Sequence, residues 1–239
     1  MKQLIKKIIR KIGLYPYVQK KISNKRNKEC LNELLKQEAN PDEDIVVINM
    51  NANDICNSHC VMCNIWKQEK KYEIAPEDVE KILKDPFFKN IKSIGVTGGE
   101  PTLREDLPEL FEAIFKALPD IKAASTITNC IESDTVIERI EKVSEVCNKY
   151  SKPFSVMVSL DGVGKIHERV RGTKGNFDGA MKVYNHFRSM NIEVTTGSTI
   201  SKVNVCDVDE LLDFLKENKM YGRFRIAEFI KRLYNDENR

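Results

Sequence analysis

Ile45-Val46-Val47-Ile48-Asn49-Met50 is a short apolar run of strand composition, and the polar stretch after it carries Cys56-Asn57-Ser58-His59-Cys60-Val61-Met62-Cys63. The order of elements after this strand and loop settles the architecture. A helix carries Val79, Ile82 and Leu83, and residues 91–97 form a second strand. The next helix repeats Leu107, Leu110, Phe111, Ile114, Phe115 and Leu118 with a period near 3.6 residues. Residues 123–128 read as strand three, followed by a helix bearing Val136, Ile137, Ile140, Val143 and Val146. Strand four covers 154–160, with a helix around Ala180, Val183, Tyr184 and Phe187. Strand five covers 192–200, a helix with Leu211, Leu212 and Leu215 comes next, and the last strand covers 223–229. Such alternation requires parallel pairing through right-handed crossovers, hence an α/β sheet with its helices outside. Six units are too few for a closed eightfold barrel, so the pattern predicts a partial (β/α)6 TIM-like barrel. A doubly wound sheet is the alternative from the pattern alone.

Outside this core, the first 28 residues hold ten lysines and arginines and no acid, although the whole chain of 239 residues carries only +3. A basic arm thus precedes an acidic body, and the expected division is an arm over 1–44 and a core domain over 45–239. Leu4, Ile5, Ile8, Ile9 and Ile12 form a helical stripe opposite lysines. Such a helix suits an anionic membrane surface, an acidic partner or the protein's own body, and nucleic acid is the least expected partner. Hydrophobic content of 41% with 31% charged residues excludes a disordered or membrane-spanning chain. The N-terminus lacks the apolar core and small-residue cleavage site of a secretory signal. The seven cysteines are odd in number and three crowd into eight positions, which favours a reducing, cytoplasmic setting over a disulfide framework.

The C-x3-C-x2-C loop admits three readings. Positions i, i+4 and i+7 share a helical face, so the cysteines fit a buried helix; but Asn51, Asn53, Asp54, Asn57, Ser58 and His59 suit a loop that satisfies its own backbone. A zinc site needs four ligands, and no second cysteine pair is present; His59 adjoins Cys60, which strains tetrahedral closure. Soft thiolates also suit iron–sulfur clusters, where four cysteines are usual. Three leave one iron without a protein ligand.

Placed after a first strand, this loop resembles the signature of the radical S-adenosylmethionine (SAM) superfamily. The resemblance implies that Cys56, Cys60 and Cys63 hold a [4Fe-4S] cluster whose open iron chelates the amino and carboxylate groups of SAM. It further implies reductive cleavage of SAM to a 5′-deoxyadenosyl radical that abstracts hydrogen from a substrate, with an external flavodoxin- or ferredoxin-like electron donor. Thr97-Gly98-Gly99-Glu100-Pro101, ending strand two, resembles the family's motif for the SAM amino group. Its glycines permit close backbone approach to a ligand, and its carboxylate suits an ammonium. Ser159-Leu160-Asp161-Gly162, with His167, Arg169 and Arg171 beyond it, resembles the maturase-like branch, where a Ser contacts SAM and an Arg pairs with its carboxylate. Ser159 and Arg171 are the counterparts, with Arg169 second. Asp161 caps local backbone on the bland reading, and His167 is structural. Thr128-Asn129-Cys130 stands where members often read Thr-Asn-Gly; Asn129 orders the rim, and Asn204 is placed to reach the adenosyl moiety. Trp66 either shields the cluster or packs elsewhere.

The resemblance covers about residues 45–229, with Met62 where many members carry an aromatic residue. The maturase-like branch usually adds a cysteine-rich C-terminal domain, which this sequence does not contain, so it reads as a minimal member or a fragment. The alternative function is a non-catalytic cluster- or zinc-binding interaction protein on the same fold. No residue names the substrate.

Overall fold

The computed structural model describes residues 46–69 and 72–227. The arm expected over residues 1–44, with its membrane and acidic-partner roles, lies outside the described residues. Six strands form one sheet: β1 (Val47–Asn51), β2 (Ser93–Thr97), β3 (Ala123–Thr128), β4 (Phe154–Ser159), β5 (Glu193–Ile200) and β6 (Gly222–Ile226). Every neighbouring pair is parallel, and spatial order equals chain order. A doubly wound sheet reverses direction at a switch point, and this one never does. The sheet curls into the expected partial barrel.

Helices lie where the periodicity places them: α1 (Pro76–Leu83), α2 (Leu107–Ala117), α3 (Ser133–Lys149), α5 (Asn176–Ser189) and α6 (Val208–Glu217). The sixth, α4 (Lys165–Arg171), precedes α5 and is a correction to the expected five. α1 begins with Pro76 and two acids, Glu77 and Asp78, in its first turn, which suit the fixed φ and the positive end of the helix. α2 buries Leu107, Leu110, Phe111, Ile114 and Phe115, each side chain contributing about 1.5–3 kcal/mol when fully buried.

Two apolar clusters fill the space between sheet and helices. One joins Ile94, Val96 and Ala124 of the early strands to α1, α2 and the C-terminal half of α3. The other joins Val156 and Val158 of β4 to α3, α5 and α6. The opposite face of the sheet is the concave one. Asn49, Gly95 and Ser125 adjoin there, as do Ile127, Met157 and Gly197. Period-2 alternation sends the apolar set to the helices and leaves a mixed, largely polar interior. No helix among the described residues is long and apolar enough to cross a membrane.

Candidate functional site

The C-terminal ends of the parallel strands surround an open cleft of about 920 Å³, its mouth included. Cys56, Cys60 and Cys63 line it together with Gly98, Gly99, Glu100, Ser159 and Arg171. All eight sequence-derived site residues therefore meet at one place. Among the described residues, no three His, Cys, Asp or Glu side chains converge closely enough to hold a single metal ion. One zinc would draw its thiolates to about 2.3 Å from a common centre. Three cysteine thiols lining one cleft are soft donors of the kind an iron–sulfur cluster takes.

The cysteine loop is held from two sides. On one, the loop after β2 is laced to it: Gly99 N donates to Asn53 O (2.9 Å), Glu100 N to Ile55 O (2.7 Å) and Asn53 Nδ2 to Glu100 O (3.1 Å). The two glycines make this lacing possible. Gly98 has φ +148°, and a Cβ there would lie 2.5 Å from Asn53 O; a Cβ on Gly99 would run into the Ile55 carbonyl. The glycines thus admit the cysteine loop's own backbone. Buried Arg104 fastens the same corner, donating to Ala52 O (2.6 Å) and Ile74 O (2.8 Å) while paired with Asp106.

On the other side stands α4. His59 N donates to Arg171 O (3.2 Å), Val61 N to Val170 O (2.9 Å) and Ser58 Oγ to Arg171 O (3.2 Å). The last carbonyls of a helix have no partner within it. Here the cysteine loop supplies them. The thiols have polar neighbours as well: Ser58 N lies 3.5 Å from Cys56 Sγ, Ser58 Oγ 3.0 Å from Cys60 Sγ, and Arg171 Nη1 3.7 Å from Cys60 Sγ. Burial pushes the Cys56 thiol up to about 12.

Behind the cleft runs a buried polar chain. Asp161 N donates to His167 Nδ1 (3.0 Å), so the ring proton is on Nε2 and is donated to Asn176 Oδ1 (3.0 Å). Asn176 Nδ2 then donates to Asn129 O (2.8 Å), and Asn129 Nδ2 to Asn57 Oδ1 (2.8 Å) beside Cys56. Asn129 N donates to Glu100 Oε2 (2.6 Å), while Glu100 Oε1 receives Thr102 N and Oγ1. Burial raises the Glu100 pKa, and these hydrogen bonds oppose the shift. Asn129 therefore orders the rim as expected, tying three strand ends together.

Arg171 is fixed by Asp161, whose Oδ2 accepts from Nε at 2.6 Å and whose Oδ1 accepts from Thr199 N at 2.6 Å. Burial works to lower the Arg171 pKa, but the Asp161 carboxylate and Cys60 overcome it and raise it. Ser159 faces the cleft with no hydrogen-bond partner for its hydroxyl among the described residues. Arg169 instead points to Val203 O and Asp207. Asn204 departs from its expected role. Its amide is spent on Asp161 O, Thr199 O and Ser201, so it braces a loop and lines no part of the cleft. Trp66 donates to Cys63 O (3.0 Å) and packs edge-on to His59, bracing the cysteine loop from outside the cleft. Cys130 is buried with φ +62°, a left-handed conformation that favours glycine. Sequence reasoning missed Arg104, Asn176 and Arg225. Only Arg225 had a usable signal, the Arg223-Phe224-Arg225 alternation on a strand.

Residues 50–215 match the family described as the radical SAM superfamily. Fe-coproporphyrin III synthase of Methanosarcina barkeri is 31% identical over 199 residues, covering 82% of this chain and 46% of that protein. The sporulation killing factor maturation protein SkfB of Bacillus subtilis is 25% identical, over 69% of this chain and 38% of that one. Among solved structures, Streptococcus suis SuiB bound to S-adenosylmethionine has the same fold, with TM-score 0.62 at 19% identity over 95% of this chain and 53% of that one. The chain spans about half, or less, of the length of these relatives.

Proposed function

The chain belongs to the radical SAM superfamily, and from that membership we propose that its cleft binds a [4Fe-4S] cluster and SAM and cleaves SAM reductively. Cys56, Cys60 and Cys63 hold three of the four irons as thiolates and leave one iron to SAM. When bound, the cluster supplies one electron to the sulfonium, giving methionine and a 5′-deoxyadenosyl radical that removes a hydrogen atom from the substrate. The loop at Gly98, Gly99 and Glu100 receives the SAM ammonium, which gives the buried Glu100 carboxylate the cationic partner that favours its charged form. Arg171, held by Asp161, faces the SAM carboxylate with its remaining guanidinium donors, and the Ser159 hydroxyl lies at its side. A flavodoxin- or ferredoxin-like protein delivers the electron.

One observation carries the reading: three cysteines distant from the other motifs in sequence line the same cleft as Gly98, Gly99, Glu100, Ser159 and Arg171. Anaerobic reconstitution and then reduction in the presence of SAM tests it. The wild-type protein is expected to release 5′-deoxyadenosine, and a C56A/C60A/C63A variant to release none. Intact SAM beside a reduced cluster would mark a non-catalytic relative, and zinc without sulfide an interaction module.

A further inference from the structure

Two arginines on the last strand, Arg223 and Arg225, are not among the residues assigned above to the cluster or SAM. A Cβ added at Gly222 would meet Leu215 Cδ1 at 2.9 Å and Phe224 Cε2 at 3.2 Å, so Gly222 and Phe224 face α6. Strand alternation then turns Arg223 and Arg225 to the concave side. Arg225 lines the cleft there, beside Gly197 and Thr199 of β5. Both arginines are exposed. Arg225 makes one long hydrogen bond, Nε to Thr199 Oγ1 at 3.3 Å, and neither arginine has an acidic partner among the described residues.

The rest of the cleft offers them no counter-charge. Glu100 is the one carboxylate that lines it among the described residues, and both its oxygens are held by Thr102 and Asn129. The other lining cation, Arg171, is already engaged by Asp161 and adjoins Cys60. The β6 wall therefore carries positive charge that no carboxylate side chain lining the cleft is free to balance among the described residues. Guanidinium forks match carboxylate and phosphate oxygens two at a time. Two positions apart on a strand, their anchor points lie about 6.6 Å from each other, a span suited to one oxyanion held from both sides or two on one molecule.

We propose that Arg223 and Arg225 receive an oxyanion of the substrate, a carboxylate or a phosphate, so that the enzyme acts on an anionic molecule entering along β6. This rests on the reading of the cleft as a SAM site. Reconstituted, SAM-loaded protein titrated calorimetrically with inorganic phosphate and with succinate tests it, using wild type, R223Q/R225Q and R225K, with circular dichroism as the check on folding. Wild type is expected to bind at least one anion saturably. The double variant should bind about tenfold more weakly or worse, and R225K, which keeps the charge but loses the fork, should fall between. Preference for phosphate assigns a phosphorylated substrate, and preference for succinate a carboxylated one. Absence of saturable binding in wild type, or equal binding by wild type and double variant, overturns the proposal. Release of 5′-deoxyadenosine by the same wild-type sample is read separately, so a failure of SAM cleavage is distinguishable from a failure of anion recognition.

Discussion

His167 is fully buried, accepting from Asp161 N through Nδ1 and donating to Asn176 through Nε2. Burial, then the nearby Arg171 charge, lowers its pKa from 6.5 to about 4. As pH falls the unfolded chain takes up this proton first. Its contribution to stability is therefore complete above about pH 6.5 and lost as pH falls toward 4, about 3 kcal/mol across the window. Urea unfolding at pH 7 and pH 4.5 should show a smaller pH-dependent loss in H167Q than in wild type, and equal losses would refute the assignment. Asp161 is the other decisive residue, since its carboxylate serves both Arg171 and Thr199 N. D161A leaves the largely buried Arg171 guanidinium without its partner, which should destabilise the protein by up to about 3 kcal/mol. Its KM for SAM is expected to rise, because Arg171 is no longer held toward the carboxylate; an unchanged KM would remove Arg171 from the SAM site.

Among the elements, α4 holds one side of the cysteine loop and was the least legible in sequence. It has seven residues, too few for a 3.6-residue period to repeat, and only His167 and Val170 are buried. Its role shows only in three dimensions, where its last carbonyls accept from His59, Val61 and Ser58. Gly172 ends the helix with φ +66°, and a Cβ there would lie 2.5 Å from His59 O. G172A meets both a left-handed backbone and a backbone clash, so it should destabilise by about 1–3 kcal/mol. Iron and sulfide content after reconstitution should fall with it. Hydrogen exchange supplies a local check: the amides of His59 and Val61 should lose protection in G172A while those of α2 keep theirs.

At the scale of the whole sheet, strand–helix alternation was sufficient to anticipate parallel pairing, while the strand order β1 to β6 decided for the partial barrel over a doubly wound sheet. The cysteine loop, Gly98, Gly99, Glu100, Ser159 and Arg171 were legible through their resemblance to radical SAM motifs, and all but Arg171, which ends α4, close or follow a strand where this architecture gathers ligands. The wiring between them was not. Arg104, Asn176 and Asp161 act through backbone carbonyls and amides brought together from distant parts of the chain, and hydrogen bonds of that kind leave no periodic trace in sequence. Gly98 and Gly99 show the same limit, since the close approach they allow is to Asn53 and Ile55 of the chain itself. The proposed chemistry stands on three cysteines carrying one cluster with a single iron left for SAM. Mössbauer spectroscopy of protein reconstituted with iron-57, recorded before and after SAM is added, measures this directly. Four irons per chain are expected, one of which changes its isomer shift when SAM binds. Four irons that remain indistinguishable after SAM is added, or a preparation that retains no cluster iron, would refute it.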